Sequence, residues 1–260
     1  VHPARVLVLV PFPLAEEGVA QRRAQTATAA LGSDVTLEYR AVRAGPTSFM
    51  SPHDWLLMDV ALLEAGLPAQ EEGYDAVLVD TVSDSGIEAL RSMLDIPVIG
   101  PGKAALLFAL TLGSRFGVLA QWAPSLARWR KALDEWHLEG QCAAVEHFDT
   151  PPDFSALIAG KEQEVFPKME AACRRLLESG ADVICLGSTT MHQSGAYLQQ
   201  RLPVPVVNPG PLSYRLIHTL LALGVSHSRV TYPRPLVPKP GLLHAMLEAA
   251  ASADGSAIGP

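Results

Sequence analysis

Two short polar segments carry the residue types most able to do chemistry in this chain: Asp80-Thr81-Val82-Ser83-Asp84 and Gly187-Ser188-Thr189-Thr190. Each follows a short apolar run and precedes a helix-like stretch. Hydroxyls and turn amides at such a junction suit a carboxylate or an enolate-like oxygen. The same Ser and Thr could be ordinary helix N-caps. Taken as a matched pair they point to a site, with Thr81, Ser83, Ser188, Thr189 and Thr190 holding substrate oxygens. Asp80, Asp84 and His192 are the neighbours able to move protons. Imidazole titrates near neutrality, and burial can raise a carboxyl into a useful range. Asp80 ends a strongly apolar run, where an unpaired charge is costly. It must pair, bind a ligand's donor or face the site. Asp84 could instead cap the following helix, and His192 could be a solvated first-turn residue.

The elements that must position these residues follow from hydrophobic periodicity. Apolar runs at 5–10, 35–39, 76–79 and 115–119 read as strands. Amphipathic stretches at 18–31 (ended by Gly32), 54–72, 104–112, 124–135 and 161–179 read as helices. This alternation predicts an α/β fold with mostly parallel sheet flanked by helices. Residues 146–153 read as a loop, the proline-rich segment 233–240 as extended surface chain, and the tail from Ala251 as frayed.

The segments 73–102 and 180–210 are an internal repeat. Each has Gly-x-Asp, an apolar strand, a Ser/Thr-rich turn, a helix, a proline-bounded second strand and Pro-Gly. The repeat predicts two pseudo-symmetric lobes: residues 1–112 with 209–260, and residues 113–208, with an active-site cleft between them. Ligands of open α/β sheets bind beyond the carboxyl ends of the strands. On that arrangement Thr81 and Ser188 are symmetry mates flanking the cleft.

Composition narrows the partners. A net charge of −7 on 260 residues argues against nucleic acid and anionic membranes, both of which need a basic face. No apolar run approaches the roughly 20 residues of a membrane span. The run at 6–10 is too short for a secretory core and is followed by Pro11 and Pro13, so the cytoplasm is the default location. Cys142, Cys173 and Cys185 show no metal-ligand spacing and no disulfide framework, and they read as structural. The expected partner is a small molecule, with no metal or organic cofactor; homo-oligomerisation stays open.

With Gly73-Tyr74-Asp75-Ala76 and Arg115-Phe116-Gly117-Val118, the two turns resemble the Asp/Glu/hydantoin racemase superfamily, most closely its hydantoin racemase branch. The likeness covers the opening strand with Pro11, the Gly45-Pro46 loop, both repeats and the Leu223-Gly224-Val225-Ser226-His227-Ser228 segment. It implies an aspartate/glutamate racemase-like fold and cofactor independence. It also implies two cysteines, one per lobe, passing a proton across the substrate carbon. The motif order sets Thr81 and Ser188 at those two positions. A thiol ionises near pH 8.5, and lower in a suitable site, whereas an aliphatic hydroxyl is hardly ever deprotonated at neutrality. Each pKa unit is about 1.4 kcal/mol. The sequence therefore argues against two-base racemisation.

Three outcomes remain. Asp80, Asp84 or His192 takes over proton transfer in an isomerase. The chain is a lyase resembling arylmalonate decarboxylase, where carbon–carbon cleavage needs no proton abstraction from the substrate. Or it is a small-carboxylate binding protein, a silent racemase homologue. The leading expectation is an isomerase or lyase acting at the carbon next to a carboxylate or amide through an enolate-like intermediate. Phe12, after Pro11, makes its corner apolar where hydantoin racemases carry a polar turn, which suits a substrate with an apolar portion. Ser48 in the Gly45-Pro46 loop and Asn208 after the last strand complete the expected substrate contacts.

Overall fold

The structure is a computed structural model and describes residues 3–24, 34–151 and 161–254. Up to residue 109 the elements are β1 (Ala4–Val10), α1 (Glu16–Ala24), β2 (Val35–Ala41), α2 (Pro52–Gly66), β3 (Ala76–Val79), α3 (Ile87–Met93), β4 (Val98–Ile99) and α4 (Pro101–Ala109). Then come β5 (Phe116–Ala120), α5 (Ser125–Glu135), β6 (Cys142–His147), α6 (Glu162–Glu178), β7 (Val183–Leu186), α7 (Ser194–Gln199), β8 (Val206–Val207), α8 (Pro209–Leu223) and α9 (Pro240–Asp254). The chain forms two compact units, residues 1–100 with 213–260, and residues 101–212.

The first unit holds a parallel sheet in the order β2-β1-β3-β4. Every residue of β3 is buried, as the apolar run Ala76-Val77-Leu78-Val79 requires of a strand covered on both faces. Side chains alternate across a strand. On one face Val6, Val8, Ala76, Leu78 and Ile99 pack with Tyr214 and Ile217 of α8. On the other, Leu9 lies so near α2 that a Cβ at Gly66 would stand 2.9 Å from its Cδ1. The start of α2 is fixed by a capping box, in which Ser51 accepts from the Asp54 N–H and Asp54 accepts from the Ser51 N–H.

The second unit repeats this plan. Its parallel sheet has the order β6-β5-β7-β8. Leu119, Ile184 and Leu186 pack against Met169, Ala172, Cys173 and Leu176 of α6. The likeness extends to single hydrogen bonds. The Arg5 N–H donates to Asp75 Oδ2 at 2.8 Å, and the Arg115 N–H donates to Asp182 Oδ1 at 2.8 Å. Gly73 and Gly180, at φ 80° and 90°, make the left-handed turn before each third strand. The internal repeat thus reaches back to β1 and β5 and includes each whole sheet.

Several sequence expectations need adjustment. The units divide after residues 100 and 212, where the sequence set the divisions after 112 and 208. Helix α4 goes with the second unit because it packs on β7. Residues 142–147 form an edge strand beside β5, although 146–147 read as loop; its residues are only half-buried, so no apolar run marks it. Helix α2 stops at Gly66 rather than 72, just ahead of Pro68. The chain at 251–254 is helical, not frayed, as the last turn of α9, which packs on α2. Residues 25–32 of the expected helix, 152–153 of the expected loop and 255–260 lie outside the described residues.

Candidate active site

All strands of a parallel sheet end on one edge. In the first unit that edge carries Pro11 and Phe12 after β1, Asp80 and Thr81 after β3, and Gly100 after β4. Phe12 is buried, so the corner it makes is apolar. Thr81 is half-buried, and its Oγ1 stands 3.0 Å from Ser83 Oγ and 3.5 Å from the Ser83 N–H. Ser83 Oγ is in turn 2.9 Å from Ser85 Oγ, and both these serines are buried. The turn closes through the Asp84 N–H, which donates to Thr81 O at 3.3 Å. Asp84 takes φ 52°, a left-handed geometry that Asp tolerates better than most residues. A Cβ at Gly100 would run into the Asp84 carboxylate and Ile87, so glycine there makes the room. Asp84 is not the side-chain cap of α3. The N-cap is Gly86, whose N–H donates to Asp59 Oδ1 at 2.8 Å.

Asp80 pairs. Its Oδ2 lies 3.3 Å from Nη1 of Arg22 on α1, with both side chains 2% exposed. The guanidinium favours the ionised carboxylate, so Asp80 is held as a counter-charge. Removing one partner of such a pair costs about 3–5 kcal/mol. Arg22 is a residue that sequence reasoning missed. The available signal was its position three residues after Val19, which places both on one face of α1; both are buried, and an arginine on an apolar face needs a partner.

In the second unit the corresponding edge carries Ser188, Thr189, Thr190 and Asn208. Ser188 is extended, at φ −160°, and caps a short helical turn over Thr189–Met191. Its Oγ accepts from the Thr190 N–H at 3.2 Å and stands 2.8 Å from Thr190 Oγ1. Thr189 is buried. Asn208 ties this turn to the end of β8, its Nδ2 donating to the His192 carbonyl at 2.9 Å, while its buried Oδ1 has no hydrogen-bond partner among the described residues. His192 is half-buried rather than solvated. Ser48 is spoken for: its hydroxyl donates to Asp54 Oδ2 at 2.7 Å, beside the cap of α2. That bond first, then the Met50 N–H, holds the Asp54 carboxyl well below the usual range. Ser48 thus has a structural job in the loop.

The chemistry of the two turns follows from counting protons. A hydroxyl has one hydrogen and two acceptor lone pairs. Where Ser83 gives both its N–H and its O–H to Thr81, the Thr81 oxygen is filled as an acceptor and its own O–H is left to donate. Ser188 stands in the same relation to Thr190. Each turn can therefore offer a polarised hydroxyl donor to an oxygen that gains negative charge. Among the described residues neither hydroxyl has a base bonded to it, so neither is equipped there as a nucleophile.

The thiols lie elsewhere in the second unit. Cys173 is buried in α6 and Cys185 in β7, its Sγ 4.0 Å from Ala105 O. Burial pushes Cys173 up to about 12 and Cys185 higher. Cys142, half-buried at the start of β6, is pushed up to about 11, again by burial. All three favour the inert thiol over the thiolate. Among the described residues no group of three His, Cys, Asp or Glu side chains is placed to hold a metal ion. No described helix is long and apolar enough to cross a membrane.

Two parallel sheets of one order, each with a hydroxyl turn after its third strand, define a duplicated α/β protein of the racemase type. The Asp/Glu/hydantoin racemase family pattern matches residues 9–217, and the chain belongs to that family. It is 25% identical over 210 residues to a hydantoin racemase of Pseudomonas sp. (strain NS671), covering 80% of this chain and 84% of that protein. It resembles the structure of an allantoin racemase from Klebsiella pneumoniae with a TM-score of 0.79 and 26% identity, covering 90% of this chain and 95% of that one. An arylmalonate decarboxylase variant in liganded form shares the fold, with a TM-score of 0.62 at 16% identity over 85% of this chain and 94% of that one.

Proposed function

We propose that this chain is a cofactor-independent isomerase or lyase. It acts at the carbon next to a carboxylate or amide and stabilises an enolate-like intermediate. The single observation that carries the reading is the matched hydroxyl pair, Thr81 with Ser83 and Ser188 with Thr190, each after the third strand of its sheet. On this reading the hydroxyls of Thr81 and Ser188 are the donors suited to a developing oxyanion, Thr189 and Asn208 help hold polar groups, and the corner of Pro11 and Phe12 accepts an apolar portion.

Family membership supports chemistry at such a carbon. The thiols argue for a departure from two-cysteine proton transfer, since burial holds Cys173 and Cys185 in their thiol form. Proton movement then falls to His192 or Asp84, because Asp80 is committed to Arg22. Of these, imidazole is the type suited to neutral pH.

The test is deuterium incorporation from heavy water into amino acids, hydantoins and malonates. Uptake at the α-carbon, with loss of optical activity, identifies an isomerase. Carbon dioxide release from a malonate, with deuterium in the product, identifies a lyase like arylmalonate decarboxylase. If the whole panel stays unchanged while calorimetry detects carboxylate binding, the enzymatic reading falls and a ligand-binding racemase homologue takes its place.

A further inference from the structure

The two hydroxyl turns share a backbone but differ in the residue that leads into each. Asp80 precedes Thr81 where Gly187 precedes Ser188. Both give their N–H to the neighbouring strand, Asp80 to Leu9 O at 2.9 Å and Gly187 to Leu119 O at 2.8 Å. The fold therefore makes this junction without any side chain. In the second unit none would fit, since a Cβ on Gly187 would stand 2.6 Å from Leu119 O. In the first unit the same place holds a carboxylate, and a helix is recruited to deliver its guanidinium. Both charges are withdrawn from water, and among the described residues the buried Arg22 Nε has no hydrogen-bond partner. A buried ion pair is a poor device for stability, because an apolar pair of similar volume often serves as well or better. The pair is thus an addition to the first turn that its twin does without.

Among the described residues, the charged and titratable groups facing Asp80 include Arg22 from α1 and Tyr214 from α8, the latter with its hydroxyl 2.9 Å from Tyr39 Oη of β2. Tyr214 is pushed far above its ordinary range, by burial first and then by the negative charge of Asp80. It stays a neutral phenol, so of these groups only the guanidinium offsets the carboxylate.

We propose that Arg22 is a positioning residue for the reaction: by holding Asp80 it fixes the backbone that carries Thr81 and keeps the carboxylate from competing in proton transfer. The inference rests on the reading above. Asp80 then acts as an anchor, and Thr81 is the group that meets the substrate. The asymmetry also gives the two turns different tasks. The first has a locked charge pair behind its hydroxyl, and the second is held by the Ser188 cap and by Asn208 Nδ2 donating to the His192 carbonyl.

The test compares R22K, R22M and R22M/D80N with the unaltered chain. Three readouts are taken: amide hydrogen exchange at 81–85 and at 188–191 in the free protein, melting temperature, and kcat and KM against pH for whichever reaction the substrate panel reveals. In R22M, exchange at 81–85 should rise at least about tenfold while 188–191 is unchanged, as expected for a local opening. Its kcat should fall about a hundredfold, the scale of an ångström-sized misplacement, with KM changed less. A new ionisation should enter the pH profile as Asp80 loses its cation. R22K should recover part of kcat, and R22M/D80N should recover melting temperature without recovering kcat. Recovery of both by the double variant would reduce the pair to scaffolding and overturn the proposal. Unaltered exchange at 81–85 in R22M or, should R22M not fold, in the double variant would overturn it too. An inert parent chain on the substrate panel defeats the functional reading alone; the exchange contrast between the turns still decides whether Arg22 fixes the first one.

Discussion

The hydroxyl of Ser188 stands 2.8 Å from that of Thr190, two residues on, and Thr81 and Ser83 repeat the relation at 3.0 Å in the other unit. In both cases the backbone N–H of the second residue also reaches the first hydroxyl. Such a pair leaves one O–H to donate, which is the feature an enolate-like oxygen would use. Replacing Thr81 by Val, or Ser188 by Ala, should lower kcat by about 10²–10³, the usual loss for one oxyanion donor. Thr81→Ser should retain most activity. Steady-state kinetics on the substrate found by the heavy-water panel checks this. Full activity in T81V would remove Thr81 from the site.

Thiols can be put back. The double variant T81C/S188C should gain or accelerate α-proton exchange on hydantoins, because a thiolate is accessible near neutral pH where an alkoxide is not. Polarimetry in heavy water measures it. A double variant that folds, shows ionisable thiols and yet exchanges nothing would mean these positions do not flank a reacting carbon.

The native thiols should be spectators. Cys173 is raised to about 12 and Cys142 to about 11, both by burial. At neutral pH iodoacetamide should modify Cys142 slowly and leave Cys173 and Cys185 intact until the chain unfolds, with activity preserved throughout. Peptide mass mapping beside a rate assay is the measurement. Inactivation that tracks labelling of a single cysteine would bring sulfur back into the mechanism.

Gly187 should resist substitution. A Cβ there would stand 2.6 Å from Leu119 O and 3.1 Å from Ala120 Cα, both backbone atoms that cannot swing aside. Gly187→Ala should cost about 1–3 kcal/mol, as overpacking does, and should displace the Ser188 turn. Denaturant unfolding reports the first effect and kcat the second. Gly140→Ala is the control, since nothing lies within 4 Å of its Cβ position.

The cap of α2 gives a pH signature. Ser48 first, then the Met50 N–H, depress the Asp54 carboxyl below its unfolded value near 3.9. A group depressed in the folded state contributes stability above its unfolded pKa and loses it as pH falls toward the folded value. Asp54→Asn should therefore lower the melting temperature at about pH 6 and progressively less below about pH 4. A constant difference across this range would mean that the Asp54 charge is not what stabilises the cap.

Much of this was legible in order and periodicity. The run Ala76-Val77-Leu78-Val79 forms β3 over those residues, because an apolar run bounded by turn residues has few other stable forms. The repeated Gly-x-Asp, apolar strand and hydroxyl turn marked a duplicated α/β fold of the racemase type, since equal local sequences build equal strand–turn–helix units. Edge strand β6 was missed, because a half-buried strand bears no continuous apolar signal. The bond from Ser48 to Asp54 was not foreseen, because it lies in a loop without periodicity.

What the amino-acid order determined by itself was the kind of residue at each junction: hydroxyls after the third strands, a carboxylate before one and a glycine before the other. What only the folded chain decided was who meets whom. Arg22 and Asp80 are 58 residues apart, and their encounter depends on how α1, packed on β2, carries the Arg22 side chain to the residue that follows β3. Pairing across such a gap is set by packing and by the cost of leaving a charge alone out of water, and local sequence carries no record of it.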